Sequence, residues 1–112
     1  MNVADLMTHA PYFVGPDTTV QGALDLLDEH DIRHLPVMDP SGMLLSIISD
    51  RDLRPITDPD VVGDADLVAV LLARPVEAVL KRLAVAVHPE DTAAEAARVM
   101  VDERVGALPV VD

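Results

Sequence analysis

The residues best suited to chemistry in this 112-residue chain form one short run, Ser49-Asp50-Arg51-Asp52-Leu53-Arg54, preceded at some distance by His34. A hydroxyl three positions ahead of a carboxylate, directly after an apolar stretch, is first of all a helix start. Ser49 or Asp50 can cap the free amides of the first turn, and any amides left over face outward, where they favour negative charge. These residue types offer binding of a polar ligand. Arg51 and Arg54 are cations that could meet a phosphate or simply pair with Asp50 and Asp52. Catalysis finds no support. The chain has no Cys, which excludes thiol nucleophiles, thiolate metal sites and disulfides. It also lacks an activated-nucleophile arrangement, a Walker-type glycine loop and paired carboxylates on rigid elements. His9, His30 and His88 show no metal-ligand spacing and read as surface residues. The expectation is a protein that is not an enzyme.

Several elements must hold that run in place. Ile32 to Met38 is apolar and extended, and Asp39-Pro40-Ser41-Gly42 has the chemistry of a type I turn. Met43 to Ile48 then returns as the hairpin partner. Both strands are apolar on both faces, so both faces should be covered. Upstream, Val20, Ala23, Leu24 and Leu27 fall at i, i+3, i+4 and i+7 opposite Asp25, Asp28 and Glu29. That pattern predicts an amphipathic helix ending near His30-Asp31. Asp17 or Thr18 would cap it, Thr18 standing three before Gln21 in capping-box order. Val3 to Thr8 reads as a short leading helix stopped before Pro11, and Tyr12-Phe13-Val14 as a short strand. Thr57-Asp58-Pro59-Asp60 is the clearest linker signal, continued by the acidic, glycine-containing piece to Asp66. Leu67 to Ala73 reads as a short helix interrupted at Arg74-Pro75.

Much of this pattern occurs twice. Leu35-Pro36-Val37 returns as Leu108-Pro109-Val110, 73 positions later, and the same offset pairs Val14 with Val87, Pro16 with Pro89, Thr19 with Thr92 and Ala23 with Ala96. One supersecondary unit present in two copies implies a pseudo-symmetric pair burying apolar faces together, with anything bound lying between them. Val76 to Lys81 answers the leading helix, Ala84 to Val87 the first strand, and Thr92 to Asp102 the amphipathic helix, with Thr92 and Glu95 as its capping box. Ala93, Ala96, Ala97 and Met100 make a slimmer stripe there. The expected division is a first repeat over 1–58, a linker with a short helix over 59–75 and a second repeat over 76–112. At Asp112 the second copy breaks off where the first continues into its turn and return strand, so the strand bearing Val110 and Val111 would need its edge covered.

Composition narrows the partners. Half the residues are apolar, but Tyr12 and Phe13 are the only aromatics, so the core must be aliphatic. The formal charge of -12 repels phosphate backbones and anionic lipid at long range, arguing against nucleic acid or membrane as partner. The start of the chain lacks a cationic flank, and Leu67 to Ala73 is too short to span a bilayer. A cytoplasmic location is the expectation.

Asp5-Leu6-Met7-Thr8, Val14-Gly15-Pro16-Asp17, Ile32-Arg33-His34-Leu35-Pro36-Val37-Met38-Asp39 and Leu45-Ser46-Ile47-Ile48-Ser49-Asp50-Arg51-Asp52-Leu53 together resemble a tandem CBS-domain protein, or Bateman module. In particular they are similar to the small bacterial acetoin-utilisation type. The resemblance covers nearly the whole chain. It implies an α+β fold of two pseudo-symmetric βαββα repeats packed through their sheets, the second truncated, and a homodimer. It implies no catalytic cofactor. It implies binding of an adenosine compound, either AMP, ADP, ATP or S-adenosylmethionine, in the cleft between repeats, reported to an unidentified regulated protein. Mg²⁺ could be sensed through clustered carboxylates.

By the same resemblance Asp52 would hold the ribose hydroxyls and Ser49 would share a phosphate with helix-start amides. His34, two before Pro36, would point to the phosphates, where the second copy has Ala107. Backbone at Leu35 would meet the adenine edge, Val85 and its neighbours would close over the base, and Arg51 would stand near the phosphates. Two departures matter. Ser46 replaces the family's Gly, and the second copy's Ser/Thr-x-x-Asp is absent, leaving at most one complete site. Both would also suit a structural dimerisation module with a vestigial nucleotide site.

Overall fold

The structure, a computed structural model, describes residues 1–80 and 85–112. Its elements are α1 (Val3–Leu6), α2 (Val20–Glu29), β1 (His34–Met38), β2 (Leu44–Ser49), α3 (Asp50–Thr57), α4 (Pro59–Val62), α5 (Ala65–Leu72), a 3-10 turn (Val76–Val79) and α6 (Ala93–Glu103). Lys81 and Ala84, where the repeat predicts one element to end and another to begin, lie outside the described residues. Among the described residues no helix is long and apolar enough to cross a membrane. The chain divides into two compact units, and the division does not follow chain order. Tyr12–Leu83 form one; Met1–Pro11 join Ala84–Asp112 in the other.

The continuous unit carries the core. The stripe of α2 is buried as its spacing predicts: Val20, Ala23, Leu24 and Leu27 pack with Val14, Leu35, Val37, Ile48, Leu53 and Val76. Each Val or Leu so placed contributes about 1.5–3 kcal/mol relative to exposure. β1 and β2 form an antiparallel hairpin with His34 opposite Ser49, Leu35 opposite Ile48 and Pro36 opposite Ile47. Its turn closes by a Gly42 N–H to Asp39 C=O bond of 2.9 Å. Asp39 Oδ1 accepts from the Ser41 amide, the Ser41 hydroxyl and the Met43 amide, and these bonds hold its carboxyl below the usual carboxylate range. Gly42 has φ +87, a left-handed conformation that a glycine adopts without a Cβ clash.

Three local expectations are corrected. Thr19, not Asp17 or Thr18, caps α2, its Oγ1 accepting from the Gly22 amide at 3.0 Å; the Thr18 hydroxyl is turned back to the Gly15 amide. Tyr12-Phe13-Val14 forms no strand, only a parallel bridge at Val14, whose N–H donates to Pro36 C=O and whose C=O accepts from Met38 N–H. Two residues earlier the Tyr12 ring is stacked on His30 at the end of α2, with centroids 3.7 Å apart. The piece read as an acidic linker is helical. Asp58 caps α4 with Pro59 at its first position, and Asp64 caps α5 after Gly63 ends α4 at φ +77. Asp-Pro here is a helix start, where proline's missing N–H has no intrahelical partner to lose.

The discontinuous unit repeats the backbone frame of the continuous one. Val3 N–H donates to Asp91 C=O at 2.8 Å, Ala4 N–H to Pro89 C=O and Ala93 N–H to Met1 C=O. At the same 73-residue offset, Val76 N–H donates to Thr18 C=O at 2.8 Å, Glu77 N–H to Pro16 C=O and Val20 N–H to Arg74 C=O. Val87 bridges Val110 as Val14 bridges Val37. The leading segment of each copy is therefore bonded to the cap region of the other copy. α6 begins with the expected box, Thr92 Oγ1 accepting from Glu95 N–H and Glu95 Oε2 from Thr92 N–H.

Candidate functional site

Ser49 is at once the last residue of β2 and the N-cap of α3. The strand delivers its side chain to the helix start, and a reciprocal box fixes it there. Ser49 Oγ accepts from Asp52 N–H at 3.1 Å, and Asp52 Oδ2 accepts from Ser49 N–H at 3.3 Å. The box leaves capacity for a ligand. Ser49 Oγ keeps its proton to donate, and among the described residues no donor reaches Asp52 Oδ1. A carboxylate so placed can accept from a hydroxyl-bearing ligand.

The hairpin sets His34 directly across from Ser49, and Asp50 N–H donates to Arg33 C=O at 2.9 Å, carrying the pairing one step into α3. His34 is half-buried. Its pKa lies below the ordinary histidine value, chiefly because burial disfavours the charged ring; Asp52 and Asp50 oppose that shift, and Arg33 and Arg51 reinforce it. The junction therefore gathers His34, Ser49, Asp52 and Arg51. Arg33 and Asp50 belong to the same electrostatic cluster although the sequence reading did not single them out. Their adjacency to His34 and Ser49 was the available signal.

Leu35 and Val85 enter differently. Because Pro36 C=O and Met38 N–H bond Val14, these residues turn their backbone away from β2. Alternation along an antiparallel pair then aims the N–H and C=O of Leu35 at Ile48. The Leu35 backbone, to which the resemblance assigns the base edge, belongs to the ladder, and at 0% exposure its side chain is core. The neighbouring backbone turned away from β2 is that of His34. Val85 lies half-buried in the discontinuous unit, two residues before the Val87 bridge.

The two arginines also separate. Arg54 hydrogen-bonds Asp28 of α2 and stands 3.6 Å from Asp50, so it ties α3 to α2. Arg51 is exposed and makes no ion pair among the described residues. Ser46, the serine at the glycine position, is 1% exposed, its hydroxyl 3.5 Å from Ile47 C=O. Among the described residues no group of three or more His, Cys, Asp or Glu side chains is placed to hold a metal.

Comparison with known proteins agrees with the repeat. The CBS domain family matches twice, over residues 3–56 and 62–112. A CBS domain-containing protein of Dictyostelium discoideum is 36% identical over 112 residues, covering 98% of this chain and 77% of its own length. Among solved structures, CBSX2 in complex with AMP shares 30% identity at a TM-score of 0.79, covering 99% of this chain and 82% of that one. A Vibrio cholerae protein assigned to acetoin utilization (AcuB) shares 29% identity at a TM-score of 0.80, covering 100% and 77%. The same chain spans only 20% of a homoserine O-acetyltransferase of Methanocorpusculum labreanum that is 30% identical to it.

Proposed function

The chain belongs to the CBS-domain family as a tandem pair, and from that premise we propose that it is a regulatory module that binds an adenosine compound and reports it to a partner, without catalysis of its own. The observation that carries this is the β2–α3 junction, where β1, β2 and α3 together present His34, Ser49, Arg51 and Asp52, in a chain 30% identical to a protein solved with AMP. In this reading Asp52 Oδ1 takes a ribose hydroxyl, the Ser49 hydroxyl donates to a phosphate, and His34 and Arg51 face the phosphate from β1 and α3. Val85 would close over the base. The repeats over 1–58 and 76–112 would act as a pair, joined by 59–75, and the working form would be a cytoplasmic homodimer. The presence of a similar stretch within a homoserine O-acetyltransferase supports an enzyme as the kind of partner regulated.

A second reading, a dimerisation module with a vestigial site, is favoured by two observations. Ser46 fills a buried position where the family carries Gly, and Ser49 and Asp52 already bond each other. A thermal-shift panel of AMP, ADP, ATP, S-adenosylmethionine, NADH and Mg²⁺ separates the two. A ligand at 100 times its Kd should stabilise by about 2.7 kcal/mol, several degrees in a domain of this size. A selective shift that disappears in Asp52→Ala supports the sensor. No shift from any compound supports the dimerisation module.

A further inference from the structure

Helix α5 has one apolar side packed and another left open to solvent. On the packed side Val68 is buried, and Leu71 and Leu72 are half-buried. On the open side Leu67 and Val70 are 46% and 53% exposed, with Ala69 and Ala73 exposed beside them. Positions 67 to 73 hold no polar side chain at all. A helix that is apolar all round is normally covered all round. Down the open side run Asp66, Val70 and Arg74, four residues apart and so one above the other, an apolar centre with opposite charges at its two ends. Both charged residues are exposed, and neither makes an ion pair among the described residues.

This face is complementary to itself. Asp66 and Arg74 each stand four positions from Val70, about 6 Å along the helix in either direction. A two-fold axis through Val70 therefore sets the Asp66 of each copy against the Arg74 of the other, and Leu67 against Ala73, a large side chain facing a small one. A parallel pairing would instead oppose Asp66 to Asp66 and Arg74 to Arg74. A contact about a two-fold axis uses the same patch twice. In a chain of formal charge -12, whose copies repel at long range, such local pairing of opposite charges is what fixes a self-contact and its direction.

We propose that the open face of α5 is the surface on which a second copy of this chain docks, the two helices antiparallel about Val70 and tied at both ends by Asp66 with Arg74. This rests on the homodimer of the proposed function, to which it gives a contact surface and an orientation, and it is independent of the ligand. One helix face per copy is smaller than a standard interface of about 1,600 Å², so the dimer dissociates on dilution and weakens in salt.

Sedimentation velocity of the full chain over a wide range of concentration, at low and at high salt, tests this with Val70→Asp, Asp66→Arg and Arg74→Asp. All three positions are exposed, so each variant should keep the circular dichroism of the wild type. Val70→Asp should be monomeric throughout. Each charge reversal turns two attractions of the dimer into two repulsions and should raise its Kd by about tenfold or more at low salt, an effect that shrinks as salt screens the charges. Mixed in equal amounts, Asp66→Arg and Arg74→Asp should pair with each other, since one then carries two cations on this face and the other two carboxylates. A wild-type dimer that survives Val70→Asp and both reversals overturns the α5 surface and leaves the homodimer standing. Reversals that weaken the dimer without rescue in the mixture overturn the antiparallel pairing. A wild type that is monomeric at every concentration overturns the surface and the homodimer together.

Discussion

Leu35 and Leu108 hold equivalent places in the two copies, as do Val37 and Val110, yet the first of each pair is 0% exposed and the second only half-buried. The backbone frame does not explain this, because the two units share its main features: the same bridge beside the Leu-Pro-Val stretch, a threonine cap and the same clasp from the other copy's leading segment. The difference lies in what covers the frame. In the continuous unit Ile48 of β2 and Leu53 of α3 close over β1 and α2; in the discontinuous unit α6 has no buried residue. Hydrogen bonds can therefore reproduce a repeat's geometry while leaving its hydrophobic energy unequal. Direct satisfaction of backbone groups is a local matter, whereas burial needs a second layer.

The sharpest way to break this comparison is a matched pair of truncations. Leu35→Ala should cost about 2–5 kcal/mol, as a fully buried leucine does, and Leu108→Ala well under half of that, read by urea denaturation with circular dichroism. Equal losses would mean that both units bury their leucine alike in solution.

The caps should behave oppositely, because they belong to the shared frame. Thr19→Ala and Thr92→Ala each remove one side-chain acceptor from a helix start and should each cost about 1 kcal/mol, measured the same way. Losses differing severalfold would show that the frame is not equivalent after all. The smallest effect is expected on the surface. Asp28 receives Arg54, while its counterpart at the 73-residue offset is Val101, 76% exposed. Arg54→Ala should cost about 0.2–1 kcal/mol, the range of solvated ion pairs, diminish in high salt, and leave ligand affinity unchanged. A loss of affinity in that variant would place Arg54 at the site after all.

Periodicity and offset made much of this legible. The α2 stripe, the Asp39-Pro40-Ser41-Gly42 turn, the Ser49 cap and the Thr92 box all express local rules, and the structure keeps them. The offset even held the answer to one error: Thr92 caps α6, so its partner Thr19, rather than the adjacent Thr18, was the consistent choice for α2. Asp58-Pro59 misled because the same dipeptide opens turns and helices, and only the following Val61-Val62 and the Gly63 stop distinguish them. At the site, the hairpin register and the helix cap bring His34, Ser49 and Asp52 to one strand–helix junction. What the sequence could not express were long-range facts. The register that turns Leu35's backbone to Ile48 and the tie of Arg54 to Asp28 depend on residues far apart in the chain.

The exchange of leading segments also sets the length of chain that each clasp must close. Met1, Val3 and Ala4 bond Ala93, Asp91 and Pro89, pairings that span 85 to 92 positions. In the continuous unit the matching clasps are shorter, Val20 to Arg74 and Thr18 to Val76 spanning 54 and 58 positions. The entropic cost of closing a loop grows only slowly with its length, so the discontinuous unit closes at a cost little greater than that of the continuous one, though with less buried surface to offset it.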